Sequence, residues 1–206
     1  MKRLAVLYTT REGQTRRIAE RVGAVLRARG FTVDVIDIVR ELPSDFDPAR
    51  YAGAILASSI HIGKHEPAML AFVKKWRTEL ELIPSTFLSV SLSQAGAVDA
   101  KAPPARRESA KANVEKMIAE FLQKTRWRPL HVYPVAGALL YRQYSLLLRL
   151  VMRFIAKVAG ASTDTSRDHE YTDWKTVERY AEELASEVRA AEAAIRVSPR
   201  SPSAPA

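Results

Sequence analysis

At 206 residues and 47% hydrophobic content, the chain is long enough for one globular domain with a sizeable core. It has no cysteine, which excludes disulfides, Cys-ligated zinc, iron–sulfur clusters and a cysteine nucleophile. The net charge of +9 is localised, since residues 101–157 hold twelve Lys/Arg against three Glu while the rest holds twenty of each sign; that pattern suits an anionic partner surface or a solvated basic face.

Met1-Lys2-Arg3 runs straight into the apolar stretch Leu4–Tyr8, with no signal-peptide pattern. That stretch is predicted to be a strand, followed by the turn Thr9-Thr10-Arg11-Glu12-Gly13-Gln14-Thr15. A helix then carries Ile18, Val22, Val25 and Leu26 on one face. A strand, a hydroxyl-rich turn with one Gly and a helix start form a phosphate cradle, because free N–H groups and the helix dipole both favour an anion there. An ordinary capped turn has the same outline. The loop lacks the Walker lysine and the G-x-G-x-x-G spacing, so it is neither an ATP loop nor a dinucleotide fingerprint.

Gly30 ends the first helix, and Phe31–Ile38 reads as a half-buried strand. Residues 51–59 are apolar throughout, as a central parallel strand is. Pro67 opens a helix bearing Met69, Phe72, Val73, Trp76 and Leu80, and Thr86–Leu92 is a fourth strand. A polar loop and a helix with Val114, Met117, Ile118 and Phe121 follow, then a fifth strand, His131–Ala138. The last helix repeats apolar residues from Trp174 to Ile195, and the Pro/Ser-rich residues 198–206 read as a disordered tail. Five strands separated by helices indicate one α/β domain over 1–197, an open parallel sheet with helices on both faces. Ligands bind beyond the C-terminal strand ends of such sheets. Here those ends are Thr9–Thr15, Ser58–Lys64 and Ser91–Gly96.

One stretch exceeds that minimal plan. In residues 141–158, Arg142, Arg149, Arg153 and Lys157 fall on one narrow helical stripe, and most other positions are apolar. A packed helix with its charges in water looks like this. So does a helix lying in a membrane interface with its basic stripe at lipid phosphates. The concentration of charge favours the anionic lipid surface. No stretch is long and uncharged enough to span a bilayer, and no nucleic-acid-binding motif accompanies the basic residues, so no nucleic acid partner is expected.

The chain resembles the flavodoxin-like, quinone-dependent protoporphyrinogen IX dehydrogenases (the menaquinone-dependent protoporphyrinogen oxidase family), from Lys2 to about Ile195. Thr10-Arg11-Glu12-Gly13-Gln14-Thr15, Phe72-Val73-Lys74-Lys75, Trp127-Arg128-Pro129, residues 136–141, the basic apolar insert (about 141–160), Thr163-Asp164-Thr165 and Tyr171-Thr172-Asp173-Trp174 carry the resemblance. It implies a flavodoxin-like fold with FMN as cofactor. Thr9, Thr10, Arg11, Gly13, Gln14 and Thr15 would hold the phosphate. Ser58, Ser59, Ile60, His61, Ile62 and Gly63, with Ser91, Leu92 and Ser93, would flank the isoalloxazine. The implied reaction oxidises protoporphyrinogen IX and passes electrons to a membrane quinone, menaquinone or ubiquinone, from the cytoplasmic face of the cell membrane. The insert would face membrane and quinone. A homo-oligomer is left open. The rivals are a flavodoxin-like NAD(P)H:quinone reductase and a flavodoxin-type electron carrier.

Two positions depart from the flavodoxin pattern. Glu12 stands where a hydroxyl residue is usual, and an acid beside a phosphate is unfavourable unless it turns away or Arg11 offsets it. The Ser59–Lys64 stretch has no aromatic to stack on a flavin, leaving His61 or Ile62 for that place. His61 suits a flavin hydrogen bond and equally a solvated loop. His65 and His169 read as surface residues and His131 as the edge of the fifth strand. Tyr141 and Arg142 lie just past the end of strand five, where a tetrapyrrole would reach them; Arg142 suits a propionate carboxylate and equally the first place in the lipid-facing stripe. No catalytic acid or base is assigned, because the cofactor would supply the chemistry.

Overall fold

The computed structural model describes residues 2–139 and 164–197. The whole expected insert (about 141–160), with Tyr141, Arg142, Arg149, Arg153 and Lys157, and the tail at 198–206 lie outside those residues. The elements in chain order are β1 (Arg3–Thr9), α1 (Gln14–Ala28), β2 (Thr32–Asp37), β3 (Gly53–His61), β4 (Lys64–His65) and α2 (Pro67–Glu81). They continue with β5 (Ser85–Ser91), α3 (Leu92–Val98), α4 (Pro104–Thr125), β6 (His131–Ala136), β7 (Ala138–Leu139), β8 (His169–Glu170) and α5 (Trp174–Val197). The main sheet runs β2-β1-β3-β5-β6, all parallel, while β7 and β8 pair antiparallel beside it.

Alternation along the strands explains the three layers. Leu4, Val6 and Tyr8 of β1, Ile55 and Ala57 of β3, and Leu88 and Val90 of β5 share one core with Ile18 and Val22 of α1 and Val177, Leu184 and Val188 of α5. Their neighbours Ala5, Leu7, Leu56 and Phe87 point the other way, into a core with Met69, Phe72 and Leu80 of α2, Phe121 of α4, and Trp127. Two contacts of closest approach require glycine. A Cβ on Gly23 would meet Val35 Cγ2 at 2.5 Å, and one on Gly53 would meet Val188 Cγ2 at 2.6 Å and the Pro84 carbonyl at 3.1 Å.

The parallel register sets Thr9 beside Ser58 and Ser58 beside Ser89, so the C-terminal ends of β1, β3 and β5 finish together at one sheet edge. Three elements there differ from the sequence expectation. Strand β3 continues through Ser59 and Ile60 to His61, because Ile60 and His61 pair back onto His65 and Lys64 around an Ile62-Gly63 turn. The segment after β5 is helical at once rather than a loop: Ser91 Oγ accepts the Gln94 N–H at 3.1 Å and caps α3. The fifth strand breaks at Gly137, whose N–H donates to the Ser91 carbonyl before β7 turns off to β8.

Candidate functional site

A cleft of about 130 Å³ opens where those strand ends converge. Its walls come from the β1–α1 loop, the β3–β4 hairpin, the β5–α3 junction, Met117 of α4, and Gly137-Ala138. Gly13 sits at the N-cap of α1 with φ +90, and no side chain among the described residues caps this helix. Its first-turn N–H groups therefore remain donors without an intrahelical acceptor. Only glycine takes that φ without strain, and a Cβ there would stand in open space rather than against protein. The Gly13 N–H itself donates to Thr10 Oγ1 at 3.0 Å, which fixes the loop and leaves the Thr10 hydroxyl hydrogen to point elsewhere.

Of the residues expected at the phosphate, Thr10, Gln14 and Thr15 line the cleft. The Gln14 side chain is already committed. Its Nε2 donates to Glu170 Oε1 and Thr172 Oγ1, both at 2.9 Å, and its Oε1 accepts from Arg17 at 3.0 Å. The buried Thr172 hydroxyl donates in turn to the Ala136 carbonyl at 2.7 Å. That chain of bonds ties the loop to β6 and β8, so only the Gln14 backbone is available to an anion. Thr9 and Arg11 stand apart from the cleft. The buried Thr9 hydroxyl donates to Ser58 Oγ at 3.1 Å, and Arg11 turns away to an ion pair with Glu66 at 2.6 Å.

Around the expected ring site, Ser59, Ile60, His61, Ile62, Gly63, Ser91, Leu92 and Ser93 all line the cleft. Ser58 does not, because β3 buries it completely and its hydroxyl donates to the Ser59 carbonyl. Ser59 Oγ is buried and has no hydrogen-bond partner among the described residues. A buried hydroxyl left unpaired is costly, and a polar ligand edge in the cleft would satisfy it. Ile62 is 78% exposed with φ +47, which is strained for a β-branched residue. Among the described residues no Phe, Tyr or Trp lines the cleft.

Glu12 also lines the cleft. With Arg11 engaged by Glu66, its carboxylate lies 4.0 Å from His61 Nδ1, and burial holds its pKa above the usual carboxylate range. His65 corrects the sequence expectation of a surface residue. It is 8% exposed, its Nε2 shares a hydrogen with Ser89 Oγ at 2.9 Å, and its ring packs against Phe87 and Phe121. Burial pushes its pKa down to about 4. Sequence reasoning did not reach Val90, Met117, Gly137, Ala138 and Thr172, which reach the site through long-range packing. The Ser91-x-x-Gln94 capping spacing was the one local signal that fixes the β5 end of the cleft.

A family model described as flavodoxin domain matches residues 5–166. Protoporphyrinogen IX dehydrogenase (quinone) of Escherichia coli (strain K12) is 35% identical over 180 residues, which is 87% of this chain and 93% of that protein. Its namesake in Leishmania major is 32% identical over 182 residues, 88% of this chain and 74% of that one. A solved short-chain flavodoxin associated with a bacterial microcompartment has a TM-score of 0.50 at 13% identity, covering 91% of this chain and 99% of its own. That likeness speaks to the fold, and the sheet order and uncapped α1 agree with it. The chain therefore belongs to the flavodoxin-domain family, with the quinone-dependent protoporphyrinogen IX dehydrogenases among its relatives.

Proposed function

We propose that this protein oxidises protoporphyrinogen IX to protoporphyrin IX, with FMN in the cleft and a quinone as the electron acceptor. One observation carries the reading: an uncapped α1 start and a Ser59 hydroxyl with no partner among the described residues line one cleft, in a chain that aligns over 87% of its own length with a dehydrogenase of this substrate. The donor set fits FMN. The first-turn N–H groups of α1 and the hydroxyls of Thr10 and Thr15 would hold the phosphate, which the helix dipole also favours. Ser59, Ser91 and Ser93 would meet the polar edge of the ring, and Val90, Leu92 and Met117 its apolar surface.

Bound FMN supplies two-electron redox chemistry. Six hydrogens leave the porphyrinogen as it aromatises, so three two-electron rounds are needed and three quinones become quinols. The chain's own tasks are to seat the flavin and to keep water off it. It also has to keep charge beside the phosphate low. The raised pKa of Glu12 and its closeness to His61 serve the last of these. Among the described residues those two are the acidic and basic side chains on the cleft wall, with Glu12 Oε1 4.0 Å from His61 Nδ1. The basic stripe of Arg142, Arg149, Arg153 and Lys157 would hold the protein peripherally at the cytoplasmic membrane face, where both greasy reactants reside.

The test is anaerobic mixing of the FMN-loaded protein with protoporphyrinogen IX, with flavin absorbance followed in a stopped-flow instrument. Bleaching by the porphyrinogen, reversed by a quinone, is expected. Bleaching by NADPH with none by the porphyrinogen would replace this reading with that of an NAD(P)H:quinone reductase.

A further inference from the structure

A second, larger cavity lies across the Ile62-Gly63 turn from the cleft. It measures about 460 Å³, within the size range of small-molecule sites, which is roughly 300–1,000 Å³. His61, Ile62, Gly63 and Met117 line both spaces, so this hairpin and one α4 side chain form their common wall. The floor of the larger cavity is apolar, built from Leu70 of α2 with Met117 and Phe121 of α4. Its rim is charged and unequal. Arg11 is paired with Glu66 at 2.6 Å and Lys124 with Glu120 at 3.5 Å, whereas Lys64 has no acidic partner among the described residues. The buried His65 at the back is held neutral by its depressed pKa and adds no charge near neutral pH. The cavity is thus an apolar basin with one uncompensated ammonium on its lip.

The strained turn gives a second indication. Ile62 keeps a β-branched side chain at φ +47 and 78% exposed, at the junction of the two spaces. Neither burial nor hydrogen bonding in the fold accounts for holding a large apolar group out in water. Strain of this kind concentrates where a ligand is clamped. A flat apolar ligand in the larger cavity would cover it.

We infer that this cavity seats the macrocyclic donor, an apolar tetrapyrrole bearing carboxylates, with its ring against Leu70, Met117 and Phe121 and a propionate at Lys64. The inference rests on the reading under Proposed function and adds the place of the substrate. A neutral quinone headgroup offers Lys64 only carbonyl acceptors, whereas a propionate offers a charge-assisted bond, so a cation with no acidic partner among the described residues favours the carboxylate ligand. The shared wall then sets the donor next to the flavin cleft while leaving that cleft's own opening to the acceptor.

Protoporphyrin IX, the stable oxidised macrocycle, serves as the probe, titrated into the protein with and without FMN and read by quenching of protein fluorescence. The variants are Lys64→Glu, at an exposed position, and Leu70→Trp, which fills the basin. FMN affinity is measured separately on each and is expected to stay unchanged. Porphyrin affinity should fall about fivefold to tenfold in Lys64→Glu, as for reversal of an exposed ion pair, and further in Leu70→Trp. The dimethyl ester of protoporphyrin should bind the parent and Lys64→Glu alike. Equal affinity for the free acid in all three proteins overturns the inference, as does a parent that binds FMN and ignores the porphyrin. A parent that binds porphyrin in a Lys64-dependent way but never binds FMN keeps the cavity assignment and removes the flavin reading instead.

Discussion

The buried imidazole of His65 makes a quantitative prediction about acid stability. Its pKa falls from 6.5 to about 4 because burial penalises the charged form. Between those two values the unfolded chain binds a proton that the folded chain refuses. Stability therefore rises with pH across that window and is lost as pH falls through it, at about 1.4 kcal/mol per pH unit. The penalty should approach ~2 kcal/mol at pH 5 and level off near ~3 kcal/mol below pH 4. Carboxylates titrate in the same range, so the parent curve alone does not isolate His65.

A comparison with His65→Phe does isolate it. The substitution keeps an aromatic ring against Phe87 and Phe121 but leaves the Ser89 hydroxyl without its 2.9 Å partner. That loss should make the variant about 1–3 kcal/mol less stable at pH 7. Urea unfolding of both proteins at pH 7, 6, 5 and 4.5 should then show the difference shrinking as the pH drops, with the two proteins near parity at the acid end. Carboxylate contributions are common to both and cancel. A parent-minus-variant difference that stays constant with pH refutes the reasoning. So does an imidazole that titrates near 6.5 by NMR.

Three further outcomes are expected. Gly53→Ala should cost about 1–3 kcal/mol by overpacking against Val188, and Val188→Ala in the same chain should recover part of it; strictly additive losses in a thermal-melt double-mutant cycle would count against that contact. Thr15→Ala should weaken FMN binding by roughly tenfold, about 1.5 kcal/mol for one hydrogen bond to a charged group, with the apo-protein still folded; an unaltered FMN titration would place the phosphate elsewhere. Changing Arg149, Arg153 and Lys157 together to Glu should release the protein from anionic vesicles, each basic residue being worth about 1 kcal/mol at such a surface; a parent that never sediments with those vesicles would leave the stripe to ordinary solvation.

Where sequence pattern prescribed the structure, the cause was local. The apolar runs at 4–8 and 53–57 became inner strands because both of their faces are covered. Pro67 opened α2, and the repeat from Trp174 packed α5 onto the sheet. The turn that opens α1 was legible too, since Thr10, Gly13 and Thr15 lie close together in the sequence. The rest of the site was hidden because it is made by distant partners. His65 sits in a polar-looking stretch, and its burial depends on Phe87 and Phe121, far along the chain. Gln14 finds Glu170 and Thr172 more than 150 residues away. The helix at 92–98 is small-residue and short, so its period is invisible, and only its cap betrays it.

The cleft and the larger cavity meet at the β3–β4 hairpin. On one side the hairpin walls the cleft that holds an uncapped helix start and a hydroxyl with no partner among the described residues. On the other side it closes an apolar basin with a spare ammonium at Lys64. Strained backbone persists only where its surroundings hold it, and Ile62 in this turn keeps φ +47. Glycine at that position would remove the strain and also the apolar cover that both spaces share. That the chain instead keeps a strained, exposed isoleucine between two cavities of opposite character is the strongest physical reason to treat them as one two-ligand site.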